Sequence, residues 1–598
     1  MEVKKRLAGI PLYDPSDSQF IVKEEEFYGN KMEVIYRKGR GGLTKAQMEE
    51  IAARGEMVPG FSYAPELNPH TWEPEPGILC DRDIAVKMRD GVTIYADIYR
   101  PKDSGPVPCI VSWGPFGKNM AEIGEEFKLM GVPPQTVSRM AKFESADPGY
   151  WCPNGYAVAN VDPRGVSNSE GYVSNWGVQD HFDGYDFIEW AGEQDWCNGK
   201  VTMFGNSGCC MVIWGIASTQ PPHLACIGAW EGTGDMYRES FTWGGISAAA
   251  YNGNMINSIS CKTYIEDVPN MLACRPYYDE YWQARAPRFE NIRVPAYVTA
   301  GLCHIHLRGS FEAFRKIRTP KKWLRAHRDM EWPDTYNPQN LEDLKRFFDR
   351  YCKGIRNGWE FTPRVRIDVT DAYGFDYAPR REENEMPLAR TEYKKIYLDA
   401  ETHTASYEQF PNHSEVSYDP ETETTTFDIK FGEETEITGY MSLRLYVECR
   451  GHDNMDLFPW VKKLGQNGEY LPVHCMGENY RGAWGYFRCQ RRELDPKLTS
   501  QFQPVQAHEK DEPMEQGVIY PVDIEIYPHS RIWHKGESLR VEIGGRFIST
   551  EWFEDSHMVF ETDNGEGTHV IHTGGEYASY LQIPYIPPKY TSGDYVYR

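Results

Sequence analysis

Four apolar and β-branched residues, Val201-Thr202-Met203-Phe204, run straight into Gly205-Asn206-Ser207-Gly208, and a helix-compatible segment from Met211 to Ser218 follows. A strand that turns this abruptly into a helix holds its corner residue in strained backbone, with the side chain above the sheet and over the free N–H groups of the helix start. Such a corner calls for a central sheet backed by helices, and it suits a nucleophile. The usual elbow is Gly-x-Ser-x-Gly. Here Cys209 holds the fifth position and needs more room than glycine. A serine at this place also serves as an ordinary helix cap.

The surrounding chain repeats the same grammar. Ile84–Arg89 and Val92–Tyr99 read as strands joined at Asp90-Gly91, a strong two-residue hairpin signal. Short apolar runs follow at 107–112, 156–161, 224–229, 294–300 and 322–326, separated by amphipathic helices over 178–194 and 341–351. Buried runs alternating with helices predict a mostly parallel sheet with helices on both faces. Residues 232–291 interrupt it with helical and loop character and are read as a cap, since insertions after such strands cover the site at their C-terminal ends. Residues 76–231 and 292–361 then form the α/β domain, and residues 1–75 an irregular arm with one short helix near 44–54. Past residue 362 the texture changes to short alternating stretches, among them 364–369, 395–398, 441–447, 518–522 and 539–543. They predict an antiparallel jelly-roll sandwich over 362–598.

A chain of 598 residues exceeds one ordinary core. Its net charge of −24 argues against nucleic acid and against anionic membrane surfaces. The N-terminus shows no apolar signal segment, and no run reaches the length of a membrane span. A cytoplasmic protein is therefore expected. The 14 cysteines form no paired CxxC pattern, so neither a zinc site of that kind nor any other metal is expected. The expected partner is a small-molecule substrate, and a homodimer is compatible with the reading.

A nucleophilic serine needs a base and donors for the oxyanion. In sheets of this type the partners follow the serine in the order acid, then His. His327, at the end of the last predicted strand, is the candidate base. The preceding strand ends in Gly301-Leu302-Cys303-His304-Ile305-His306, where an acid would fall, and it offers two histidines and no carboxylate. Asp329, Glu331 or a cap residue remain candidates for that role. Gly208 N–H is the first oxyanion donor. The second is expected from Pro115-Phe116-Gly117, where Pro115 has no N–H to give.

These residues resemble the cocaine esterase-like and X-prolyl dipeptidyl peptidase-like serine hydrolases. The likeness runs from about residue 75 to the C-terminus. It is carried by Arg89-Asp90-Gly91-Val92, Gly114-Pro115-Phe116-Gly117-Lys118, Asp162-Pro163-Arg164-Gly165 with Ser169-Glu170-Gly171, Asp183-Gly184-Tyr185-Asp186, Trp196-Cys197-Asn198-Gly199-Lys200-Val201 and the elbow itself. The resemblance implies an α/β-hydrolase domain, a helical cap, a C-terminal jelly roll, and ester or amide cleavage by a Ser–His–Asp triad without a cofactor. It places the nucleophile on Ser207, the base on His327 and the acid position on His304. It places an oxyanion-binding Tyr hydroxyl on Phe116, which has none. It also leaves Gly208-Cys209-Cys210 where relatives carry a bulky residue. Losing one oxyanion donor costs about 10²–10³ in rate, and losing the acid about 10⁴. Three readings therefore stand: a serine hydrolase acting on a small ester or amide; a non-hydrolytic cyclase, isomerase or carbon–carbon bond enzyme of specialised metabolism that uses His304, His306 and His327 as acid–base groups; and a binding protein without turnover.

Overall fold

The computed structural model describes residues 11–53, 64–119, 130–372, 374–475, 478–480, 483–547 and 559–588. The chain divides into two compact units. The first comprises residues 1–241, 249–325 and 329–362, and the second residues 242–248, 326–328 and 363–598.

The arm is not irregular throughout. Strands β1 (Phe20–Phe27) and β2 (Asn30–Lys38) pair antiparallel and take Tyr264–Glu266 as a third strand. Tyr28 and Gly29 both have positive φ (51° and 88°), the backbone a tight two-residue hairpin turn requires. The sequence hid this because Glu24-Glu25-Glu26 breaks the apolar alternation. The helix expected near 44–54 is present at Lys45–Ala53.

Strands β3 (His70–Glu75), β4 (Ile78–Lys87) and β5 (Thr93–Pro101) open the main sheet antiparallel. The β4–β5 connection is longer than two residues. Met88 and Val92 close it, and Gly91 alone takes positive φ (91°). That is the three-residue solution, a turn ending in a left-handed glycine. Strands β6 (Val107–Ser112), β7 (Ala157–Asp162), β8 (Cys197–Asn206) and β9 (Leu224–Trp230) follow. Hydrogen bonding orders them β5-β7-β6-β8-β9, with β5–β7 antiparallel and the rest parallel, and strand Ala296–Gly301 continues parallel beside β9. Every residue of β7 and of Ala296–Gly301 is buried, as expected for parallel strands covered on both faces.

One face is covered by helices Val178–Gly192 and Ser207–Ser218. They approach so closely that a Cβ on Gly184 would stand 2.3 Å from Ile216, and one on Gly215 2.0 Å from the His181 ring. On the other face, helix Pro338–Cys352 sets Leu344 and Phe348 against Gly228 of β9. The strand ends are fastened by buried charge. Lys118 Nζ donates to Asp83 and to Asp97 (2.8 Å), while its backbone N–H donates to Asp162 Oδ1 (2.6 Å). Arg164 forks onto Asp183 at 2.7 and 2.8 Å. Asp183 is thus a buried partner rather than part of a solvated helix face. The cap region holds short elements, including helices Ala249–Ser258, Val268–Cys274 and Glu280–Arg285.

The second unit is all β. Strand Thr435–Arg450 pairs antiparallel with Tyr520–Trp533, Thr568–Thr573 and Tyr580–Tyr585. Ser538–Gly544 pairs with both Thr424–Lys430 and Asp456–Leu464. Inward residues such as Leu443, Leu445, Ile524, Ile526, Val541, Ile543 and Leu581 fill a single core, the arrangement of a two-sheet sandwich. No helix among the described residues is long and apolar enough to cross a membrane.

Candidate active site

Ser207 sits where β8 ends and helix Ser207–Ser218 begins, at φ 49°. A non-glycine residue in this left-handed region is strained, and it persists only where its surroundings hold it. Two backbone bonds supply the hold: Asn206 N–H donates to Glu144 O (3.1 Å), and Ser207 N–H to Glu231 O (3.0 Å). Glu231, just past β9, has φ 51° and is strained in the same sense.

The room that Cys209 needs comes from its neighbours. A Cβ on Gly114 would lie 2.5 Å from Cys209 Sγ, and one on Gly205 2.7 Å from Cys209 Cβ. Both Cys209 and Cys210 are buried, and burial raises both thiols well above their ordinary range. They are packing groups, not nucleophiles at neutral pH.

The imidazole that meets the serine belongs to His306. Ser207 Oγ lies 2.9 Å from His306 Nε2, and His306 Nδ1 lies 2.8 Å from Thr233 Oγ1. His306 is the cap residue of helix Leu307–Lys316, on the tight turn that follows strand Ala296–Gly301. With no carboxylate bonded to its ring, burial pushes its pKa down to about 3, so the ring is neutral across the working range. His304, on the same turn, packs against the His306 ring at a 58° tilt with 4.7 Å between centroids. Its Nδ1 is 3.8 Å from Glu231 Oε2 and its Nε2 3.5 Å from Glu331 Oε1. His327, the base expected from the sequence, closes strand Lys322–His327 and is buried, and it groups with the second unit. The acid position on His304 is filled by an imidazole held between two carboxyl groups.

The oxyanion corner also differs from expectation. Gly208 stands at the helix start as predicted, but Phe116 covers it: a Cβ on Gly208 would be 2.6 Å from the Phe116 ring, which packs edge-on against Phe143 at 5.0 Å. Gly117 N–H is taken by Gly114 O (3.3 Å). The polar group facing this corner is Glu144. The same virtual Cβ would be 3.2 Å from Glu144 Oε2, while Glu144 Oε1 accepts from the Trp332 indole (3.1 Å). Burial pushes the Glu144 carboxyl up to about 8, against the Trp332 indole, the Ser207 hydroxyl and the Gly208 and Cys209 amides, which all favour its ionised form. Glu331 opens helix Glu331–Thr335 and is raised well above the usual range by burial and then by the Glu144 and Glu231 charges. Sequence patterns gave no sign of Glu144, which lies in the interruption after Lys118. Glu231 could have been found from its place at a strand end.

Ser207 and His304 are buried, at 9% and 7% exposure. Phe116, Val132, Phe143, Tyr336 and partly buried Met130, Met255 and Trp332 form one apolar cluster with Cys209.

A doubly covered, mostly parallel sheet with a strained serine at the strand–helix corner, joined to an all-β unit, defines an α/β-hydrolase of the serine-hydrolase class. An "X-Pro dipeptidyl-peptidase (S15 family)" profile matches residues 90–263, and an "X-Pro dipeptidyl-peptidase C-terminal non-catalytic domain" profile matches residues 357–582. A CocE/NonD family hydrolase from Staphylococcus aureus superposes with a TM-score of 0.81 at 34% identity, over 85% of this chain and 94% of that one. The chain belongs to the CocE/NonD family of hydrolases. Cocaine esterase from Rhodococcus sp. (strain MB1 Bresler) is 26% identical over 377 residues, 53% of this chain and 62% of that protein, so the match spans under two thirds of the relative. An α-amino acid ester hydrolase, at 15% identity and a TM-score of 0.61 over 87% of this chain and 98% of that one, shares the fold.

Proposed function

We propose that the protein hydrolyses a carboxylic ester or amide of a small molecule, with Ser207 as nucleophile and His306 as its base. The observation that carries the reading is the 2.9 Å contact between Ser207 Oγ and His306 Nε2 on a strained elbow. A neutral imidazole with its Nδ1 bonded to Thr233 keeps the Nε2 lone pair directed at the hydroxyl. As Ser207 attacks, Nε2 takes the proton, later returns it to the leaving group, and water releases the acyl group by the same route. The imidazolium formed in this step is held at Nδ1 by Thr233 Oγ1, and Glu331, with Oε2 3.9 Å from Nε2, is the nearby carboxyl group.

The oxyanion forms beside Gly208 N–H, which turns to it from the Glu144 carboxyl that it faces in the resting structure. In place of the hydroxyl that Phe116 lacks, protonated Glu144 donates its O–H. A neutral carboxylic acid serving as an oxyanion donor is chemically sound where burial keeps it protonated. The apolar cluster beside the elbow, with Phe116, Phe143 and Trp332, favours a compact, partly apolar acyl group.

The test is active-site labelling with a fluorophosphonate and mass mapping. The label is expected on Ser207, abolished in Ser207→Ala and strongly slowed in His306→Ala. A label elsewhere, or one unaffected by His306→Ala, refutes the assignment. The crowding of protonatable Glu144 and Glu331 on Ser207 also favours a second reading, proton-transfer chemistry without an acyl-enzyme. It predicts that Ser207→Ala keeps turnover while Glu144→Gln loses it.

A further inference from the structure

We infer that His304, His306 and Glu331 form a binding site for a zinc-like divalent cation at the nucleophile, and that its occupancy switches Ser207 off. The ligand atoms of these three side chains all lie within 4.8 Å of one another, and all three side chains are buried. His304 Nε2 is 3.5 Å from Glu331 Oε1, and His306 Nε2 is 3.9 Å from Glu331 Oε2. Ligands bonded at ~2.1 Å in a tetrahedral shell stand roughly 3.4 Å apart, close to the 3.5 and 3.9 Å of the two histidine–glutamate pairs. Two imidazoles and a carboxylate select a borderline metal such as zinc over magnesium or calcium, which take oxygen.

Two further features set this group apart from a chance cluster. Glu331 Oε2 is fully buried, faces the site and makes no hydrogen bond of normal geometry. The second nitrogen of His306, Nδ1, is hydrogen-bonded to Thr233 Oγ1 (2.8 Å), while that of His304 lies 3.8 Å from Glu231 Oε2. That outer-shell pattern orients metal-binding histidines and turns Nε2 toward the ion.

The consequence rests on the proposed Ser207–His306 reading. His306 Nε2 has one lone pair. It either accepts the Ser207 hydroxyl or binds the cation, so an ion at this site deprives the serine of its base. Wherever zinc is available, acylation and zinc binding exclude each other.

The experiment uses the full chain stripped of metal by chelation, with Co²⁺ as the spectroscopic probe and Zn²⁺ as competitor. Wild type is expected to take up one Co²⁺ per chain with the visible absorption of a four-coordinate ion, displaced by Zn²⁺. His304→Ala and Glu331→Gln are each expected to lose it, and Glu231→Gln to weaken it by about 10–100-fold, the usual cost of an outer-shell partner. Near-ultraviolet circular dichroism checks that each variant is folded, and the milder Glu231→Gln serves where the others are not. Zn²⁺ is expected to slow fluorophosphonate labelling of Ser207 in wild type and not in His304→Ala, and chelation to restore it. No cobalt spectrum in wild type, or the same spectrum in all three variants, overturns the site. A metal that binds as described yet leaves labelling unchanged overturns the switch. Failure of the metal-free protein to label at all would sink the Ser207–His306 reading alone, since the cobalt spectrum is independent of it.

Discussion

Glu144→Gln tests how the missing oxyanion hydroxyl is replaced. On the proposed mechanism the wild-type carboxyl, pushed up to about 8 by burial, is mostly protonated at pH 7 and donates toward the oxyanion. Raising the pH through 8 removes that proton. It also places a carboxylate beside a developing negative charge, and two like charges ~4 Å apart at an effective dielectric of ~20 repel by about 4 kcal/mol, roughly a thousandfold in rate. The ionised form is therefore nearly inactive, and the rate follows the protonated fraction. The sign is clear: activity is held below pH 8 and falls as pH rises, by about tenfold per unit. Glutamine keeps the shape and donates an N–H at every pH. The second-order rate of fluorophosphonate labelling at Ser207, measured from pH 6 to 10 in metal-free buffer, reads this without knowledge of the natural substrate. Wild type should show an alkaline limb near 8 that is absent in Glu144→Gln, so that the variant overtakes it at high pH. Parallel profiles for the two proteins would refute the reasoning.

Other expectations concern the base, the elbow and the sheet edge. His306→Ala should slow labelling of Ser207 by about 10³–10⁴ and His327→Ala by much less, so a larger loss at His327 would return the base to the last strand. Gly114→Ala puts a methyl 2.5 Å from Cys209 Sγ and should cost about 1–3 kcal/mol in urea unfolding. Adding Cys209→Gly should recover most of that, and no recovery would mean that the clash lies elsewhere. Lys118→Met removes the cation that buried Asp83 and Asp97 share, leaving Asp83 with the Arg82 cation at 3.6 Å, and should lower stability by about 3–5 kcal/mol. A melting temperature equal to wild type would show that water reaches the pair.

Much of the frame was legible because each element carries its own period. The run 107–112 is a strand at Val107–Ser112, the helix read over 178–194 spans Val178–Gly192, and the alternating stretches after 362 lie in sandwich strands. The arm hairpin was missed because three consecutive glutamates interrupt the alternation of β1. At the site, the serine was visible because an elbow is a local event, encoded within about ten consecutive residues. Its partners were not. His304 and His306 are two residues apart on one turn, and nothing in their spacing tells which ring faces position 207.

The sequence by itself determined a doubly covered sheet, an all-β unit after it, and a serine at a corner between strand and helix, since periodicity and turn chemistry are short-range properties. Only the tertiary structure decided that His306 meets Ser207, that Glu144 faces the oxyanion corner, and that Glu231 and Glu331 bracket His304. Those contacts join segments tens to nearly a hundred residues apart, and their distances depend on how the strand ends converge, which no local pattern encodes.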